Sequence, residues 1–253
     1  MIAKRIIPLF LLRGGRLVKG TRFKNHIDVG DPISQAMIYD AQGADEIAIL
    51  DIDATKENRI IDTVVISEII RKCRLPIAAG GGIKSIADAR KCFHAGADKI
   101  IVNSQAVLDP SLVGVLADEF GSQSVVVAMD LMRSSKGGYE IYIRSGSKKV
   151  KGSFEKILSQ VIKYGAGEII ITAINQEGTL EGFDLELYKK LRAIIPLPFI
   201  ASGGVGSYDH MVDLFQKTGC DGCGVGKLLF LRDYDIVRIK SYLKGRGVAV
   251  RDA

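Results

Sequence analysis

Gly43-Ala-Asp-Glu46-Ile47 and, 122 positions later, Gly165-Ala-Gly-Glu168-Ile169 are two versions of one phrase. Leu75-Pro76 returns as Leu197-Pro198 and Gly81-Gly82 as Gly203-Gly204 at the same offset. Gly96-Ala-Asp98 returns as Gly219-Cys-Asp221, one residue out of step. Self-similarity at a fixed spacing marks a duplicated architecture. The chain therefore divides into two equivalent halves, about 1–120 and 121–253. Any site on one side of the molecule should have a counterpart across its axis.

Around these anchors, short β-branched runs alternate with amphipathic stretches. The predicted strands are Ile6–Leu11, Glu46–Asp51, Ile77–Ala79, Lys99–Val102, Ser124–Met129, Glu168–Thr172, Phe199–Ala201 and Gly222–Val225. Each is mostly apolar without strict alternation, as strands buried on both faces are. Asp31-Pro32 places a cap and a first-turn proline at one helix start, and Ser85-Ile-Ala-Asp88 has the shape of a capping box. Asp109-Pro110, Ser153, Asp184, Ser207 and Asp233 mark further starts; Gly43, Gly96, Gly121, Gly165 and Gly219 mark stops. Eight strand–helix units with no linker predict a single α/β domain over 1–253, a (β/α)8 TIM barrel built from two half-barrels. A doubly wound open sheet is the alternative, but such a sheet usually stops at five or six strands.

Composition agrees. The 253 residues are 47% hydrophobic and 25% charged, which excludes disordered, collagenous and disulfide-stapled classes. The net charge of +6 and pI near 9.1 come from scattered Lys and Arg, so an anionic small molecule accounts for them as well as nucleic acid does. No apolar run approaches the roughly 18 residues that span a bilayer, and Met1–Leu12 reads as a strand rather than a signal peptide. Cys220-Asp-Gly-Cys223 has no companion ligand pair; with Cys73 and Cys92 it reads as buried thiols of a cytoplasmic protein. Neither a metal nor a cofactor is implied, and neither nucleic acid nor membrane is an expected partner.

Barrel chemistry sits where strands end and βα loops begin. Those positions hold Gly81-Gly82, Asn103-Ser104, Gly203-Gly204 and Gly226. Glycine loops let backbone N–H groups surround an anion, and their pairing across the repeat predicts two phosphate sites. Asp130 closes the apolar run Val125–Met129, where solvation does not require a carboxylate. Its half-barrel counterpart is Leu11. At the opposite end Arg5, Glu46, Lys99 and Glu168 stand at strand starts, two cations and two anions suited to a closed ring. Spacing alone leaves that ring as a stabilising plug. The stretch Arg13–Gly30, with Lys19, Arg22 and Lys24, reads as a long polar loop, either a lid over an anionic ligand or a solvated surface. His26, His94 and His210 lack activating neighbours.

These motifs, with Gly15-Arg-Leu-Val-Lys19-Gly20, Leu50-Asp51-Ile-Asp53-Ala54 and Ala201-Ser-Gly-Gly204, closely resemble the cyclase subunit of imidazole glycerol phosphate synthase along the whole chain. The resemblance implies a class I glutaminase partner on the bottom face and an ammonia gate formed by Arg5, Glu46, Lys99 and Glu168. It further implies a partner contact at Asp98 and a phosphorylated ligand at the top, with Lys19, Gly178 and Thr179 joining the glycine loops. The departures lie at the top. The family's two catalytic aspartates correspond to Asp130 and to Leu11. Its Asp-Arg-Asp-Gly-Thr loop is Asn175-Gln-Glu177-Gly178-Thr179, and a phosphate-binding serine is Lys227. The pattern resembles a divergent paralogue of surface-polysaccharide pathways. Such a chain relays ammonia toward a separate sugar amidotransferase without closing a ring itself. The alternative is a working cyclase–lyase of histidine biosynthesis, with Asp51 or Asp53 replacing the lost carboxylate.

Overall fold

The computed structural model describes residues 3–231 and 234–253. In chain order the strands are β1 (Arg5–Arg13), β2 (Arg16–Thr21), β3 (Lys24–Gly30), β4 (Ile47–Asp51), β5 (Ile77–Gly80), β6 (Lys99–Val102), β7 (Val125–Arg133), β8 (Tyr139–Ile143), β9 (Lys148–Lys149), β10 (Glu168–Ala173), β11 (Phe199–Ser202) and β12 (Gly222–Val225). Eight of them pair in parallel in the order β1-β4-β5-β6-β7-β10-β11-β12. The circle closes where β12 pairs with β1, Arg5 opposite Gly222 and Pro8 opposite Val225. With helices packed outside, this is the (β/α)8 barrel. The eight barrel strands leave no edge among themselves; the added strands β3 and β9 are the sheet's edges.

Alternation along the strands splits the apolar residues into two cores. Ile7, Leu9, Ala48, Ala78, Val126 and Ala128 point inward and fill the barrel, while Ile6, Phe10, Ile49, Ile77 and Val127 point outward under the helices. The repeat is visible in the helix caps. Ser85 Oγ accepts the Asp88 N–H at 3.1 Å, and Ser207 Oγ accepts the His210 N–H at 3.2 Å. Such caps contribute about 1 kcal/mol each. Asp98 and Asp221 match as well: each accepts the first N–H of the preceding barrel strand, from Ile77 at 2.8 Å and Phe199 at 3.1 Å. At the barrel's base a buried Lys240 ties the last helix to Asp45 at 3.1 Å.

Several expectations change. Arg13–Gly30 is no loop: β1 runs on past Leu11 and turns back through Gly14-Gly15 into the hairpin β2–β3. Likewise β7 runs on past Met129 to Arg133 and pairs antiparallel with β8, so Asp130 lies within a strand instead of at its end. Both hairpins follow the first strand of a half-barrel. Ser104 and Lys227 each open a five-residue helix, Ser104–Leu108 and Lys227–Leu231, rather than a loop. The helix expected to start at Asp109 starts at Ser111, and the last helix, Ile236–Gly245, is capped by Asp235. Asp233 lies outside the described residues.

Candidate functional site

At the C-terminal ends of the barrel strands a cavity of about 340 Å³ opens. Asp130, Leu11, Lys19, Lys227 and all the paired glycines expected at the top line it, as do Asn103, Ser104 and Gly178. Thr179 does not; its hydroxyl donates to the Gln176 carbonyl at 2.9 Å inside its own turn. Asp130 is buried and accepts from Asn103 Nδ2 at 2.9 Å. Burial pushes its carboxyl up to about 7, with Asn103 opposing and the negative charge of Glu177 adding to the rise. Asn103 Oδ1 is a buried acceptor with no partner among the described residues. A bound molecule presenting an N–H or O–H beside Asp130 would satisfy it.

Lys19 reaches the cavity from β2. It is 2% exposed, donates to the Leu9 carbonyl, and places its ammonium 4.7 Å from the Phe230 ring centroid. Burial lowers its pKa to about 7 against the pull of Glu177. Glu177 is itself pushed up by burial, while the Phe23 N–H, Lys19 and Lys227 hold it down. Its Oε2 accepts the Phe23 N–H at 3.3 Å. Sequence reading passed over Glu177 as a departure from a motif. Its signal was a carboxylate beside a glycine in a βα loop.

The hairpin β2–β3 docks on the loop that follows β10. Arg22 donates to the Asn175 carbonyl at 3.0 Å, and the Arg22 N–H to the Glu177 carbonyl at 2.8 Å. Lys227 Nζ ties both sides, donating to Thr21 Oγ1 at 2.8 Å and the Gly178 carbonyl at 2.9 Å. Across the mouth, Phe23 lies against Gly146 in the turn joining β8 to β9, and Ser104 Oγ accepts the Arg144 N–H at 3.0 Å. The glycine loops are tight turns as well as candidate anion sites. Gly82 (φ +72°) and Gly204 (φ +104°) sit in repeat-related positions, and a Cβ would lie 1.8 Å from Arg59 O and 2.0 Å from Gly182 O. No other residue fits either place.

At the barrel bottom the four predicted charges close a ring. Arg5 pairs with Glu46 at 3.2 Å and with Glu168; Lys99 pairs with Glu46 at 2.7 Å and Glu168 at 3.0 Å. The glutamates are 4% and 6% exposed, and burial raises Glu46 despite Lys99 beside it. Asp98 is exposed near this face, one oxygen committed to Ile77.

Asp51 and Asp53 serve the scaffold. Asp51 pairs with Arg59 and accepts the Asp53 and Ala54 N–H groups, and Asp53 pairs with Arg13 at 2.8 Å. Both carboxylates are thus engaged by arginines. The four cysteines are free and buried. Among the described residues no group of His, Cys, Asp and Glu is placed to hold a metal ion, and no helix is long and apolar enough to cross a membrane.

A family model described as "Histidine biosynthesis protein" matches residues 5–235. The chain is 43% identical over 252 residues to imidazole glycerol phosphate synthase subunit HisF of Clostridium botulinum (strain Langeland), covering 99% of this chain and 100% of the relative. It is similarly related to the subunits of that name from Alkaliphilus metalliredigens (40% over 251 residues) and Streptococcus mutans (38% over 251 residues). Both matches cover 99% of this chain and 100% of the relative.

Proposed function

The chain belongs to the histidine biosynthesis protein family, and from that premise we propose that it works as a cyclase–lyase subunit of imidazole glycerol phosphate synthase. It would accept ammonia at the bottom of the barrel and close a ring on a phosphorylated substrate at the top. One observation carries this reading: the mouth cavity retains two carboxyls, the buried Asp130 and the half-buried Glu177, between the repeat-related glycine loops. A barrel that only relays ammonia has no need of ionisable groups held out of water at that cost.

In this reading the ring of Arg5, Glu46, Lys99 and Glu168 is the ammonia gate, facing a class I glutaminase docked on the bottom with Asp98 at its contact surface. Ammonia enters past the ring and travels along the barrel axis, where Ala48, Ala78 and Ala128 are among the inward residues. The glycine loops at Gly81-Gly82 and Gly203-Gly204 take a phosphate at either side of the mouth, with Lys19 and Lys227 supplying positive charge.

A second reading is favoured by Leu11, an apolar residue where the half-repeat faces Asp130. Here the chain binds the glutaminase and passes ammonia to a separate sugar amidotransferase of surface-polysaccharide synthesis. Steady-state turnover of the bisphosphate substrate by the purified chain in excess ammonium, at mildly alkaline pH, separates the two. The cyclase reading expects about 1 per second or faster. A chain that stays at background while its glutaminase complex still releases ammonia supports the relay.

A further inference from the structure

Ring formation coupled to expulsion of a nitrogen-bearing fragment requires a proton to be taken at one atom of the substrate and given at another. One carboxyl cannot do both within a single step, so a second group must face the cavity from another wall. Asp130 holds one wall on β7. Directly across the repeat axis stands Leu11, which can transfer no proton. Asp51, a cavity-lining carboxylate, is closed by Arg59, and Asp53 is closed by Arg13. His26 also lines the cavity, from β3, but it packs on Gly20 of its own hairpin. Two cavity carboxylates remain without an ion pair among the described residues: Asp130 and Glu177.

Resting on the cyclase reading above, we propose that Glu177 is the second proton-transfer group of this site and takes over the task that Leu11 cannot perform. The loop after β10 carries it and the hairpin holds it in place, since Glu177 Oε2 accepts the Phe23 N–H while the Arg22 N–H binds its main-chain carbonyl. The charged groups around it are Lys19 from β2, Lys227 from the helix after β12, and Asp130 from β7. Lys19 and Lys227 offset part of the burial that raises Glu177, whereas no cation opposes the burial of Asp130, whose partners are the neutral Asn103 and Thr172. The roles divide accordingly. Glu177 takes the proton released by the attacking nitrogen as the new C–N bond forms. Asp130 gives its proton to the nitrogen of the departing fragment as the old C–N bond breaks. The pair keeps one proton in total and resets by exchange with water.

Glu177→Gln tests this cleanly, because the amide oxygen still accepts the Phe23 N–H. The measurement is kcat in saturating ammonium across pH 6–9 for the full-length chain, with thermal melts as a folding control. The expected result is a fall of about 10²–10⁴ in kcat with little change in KM. Glu177→Asp should keep part of the activity and the acidic limb of the pH profile, and Leu11→Asp in the Glu177→Gln background should recover at least tenfold. An active wild type with Glu177→Gln within threefold of it, acidic limb unchanged, overturns the assignment and leaves the cyclase reading standing. A wild type that turns over no substrate overturns both.

Discussion

The two ends of the barrel treat charge in opposite ways. At the bottom, two cations and two anions are matched in a closed ring, each glutamate touching both Arg5 and Lys99. At the top, Asp130 and Lys19 are about as deeply buried and Glu177 is half-buried, yet among the described residues none of the three is closed by an ion pair at contact distance. Matched buried charges recover part of their lost hydration through mutual attraction, whereas unmatched ones shift further toward the neutral form. The lowered Lys19 and raised Asp130, both near 7, are the record of that difference. A barrel selected for stability alone has no reason to keep the second arrangement.

The sharpest way to break this contrast is Asp130→Asn. If the top is a proton-transfer site, ammonium-dependent turnover falls by about 10²–10⁴; a variant within tenfold of wild type would make the top as structural as the bottom. The same variant has an opposite effect on stability. The folded pKa of Asp130 lies above its ordinary value of 3.8, so its contribution to stability is complete below pH about 4 and is lost as pH rises to about 7. Asparagine does not titrate. Denaturant melts should show Asp130→Asn gaining on wild type between pH 4 and 7, by at most about 4 kcal/mol, and keeping that lead above. A pH-independent difference would mean that Asp130 is ionised at ordinary values.

Lys99→Met probes the matched end. It leaves Glu46 and Glu168 with Arg5 alone, so stability should fall by up to about 3 kcal/mol, less than for a fully buried pair because Lys99 is 21% exposed. Glutamine-dependent transfer in the glutaminase complex should change while ammonium-dependent turnover does not. Equal loss of both would reduce the ring to a plug. The smallest effect is expected from Lys227→Ala, which removes two hydrogen bonds between hairpin and loop, about 1–3 kcal/mol of local stability in all. Limited proteolysis near Arg22 should accelerate without a shift in the global melt. An unchanged cleavage rate would show that Arg22 and Phe23 alone hold the hairpin down.

Much of this was legible in the linear chain. The repeated Gly-Ala-x-Glu phrase carried the half-barrels, the buried strands and the bottom ring, because strand starts at fixed spacing must meet around a closed sheet. Asp130 was legible as a charge after an apolar run. The hairpins were missed, although Gly14-Gly15 is a two-residue turn and Gly137-Gly138 closes the five-residue connection from β7 to β8, both between partly alternating arms, a recognisable hairpin signal. Lys19 was visible as a cation, but nothing local distinguishes a lysine on a solvated loop from one buried over Phe230. The remote partner decides, and Phe230 lies 211 positions away.

Periodicity, capping residues and the duplicated glycines thus determined the barrel by themselves, since each acts over a few residues and the closed sheet follows from their order. Which carboxylates are committed and which stand open was decided only in three dimensions. Asp51, Asp53, Asp130 and Glu177 are all acidic residues near strand ends. Arg59 and Arg13 neutralise the first two, and burial without an ion pair at contact distance perturbs the others. A side chain's proton affinity depends on the field and solvent around it, and both are properties of the folded chain.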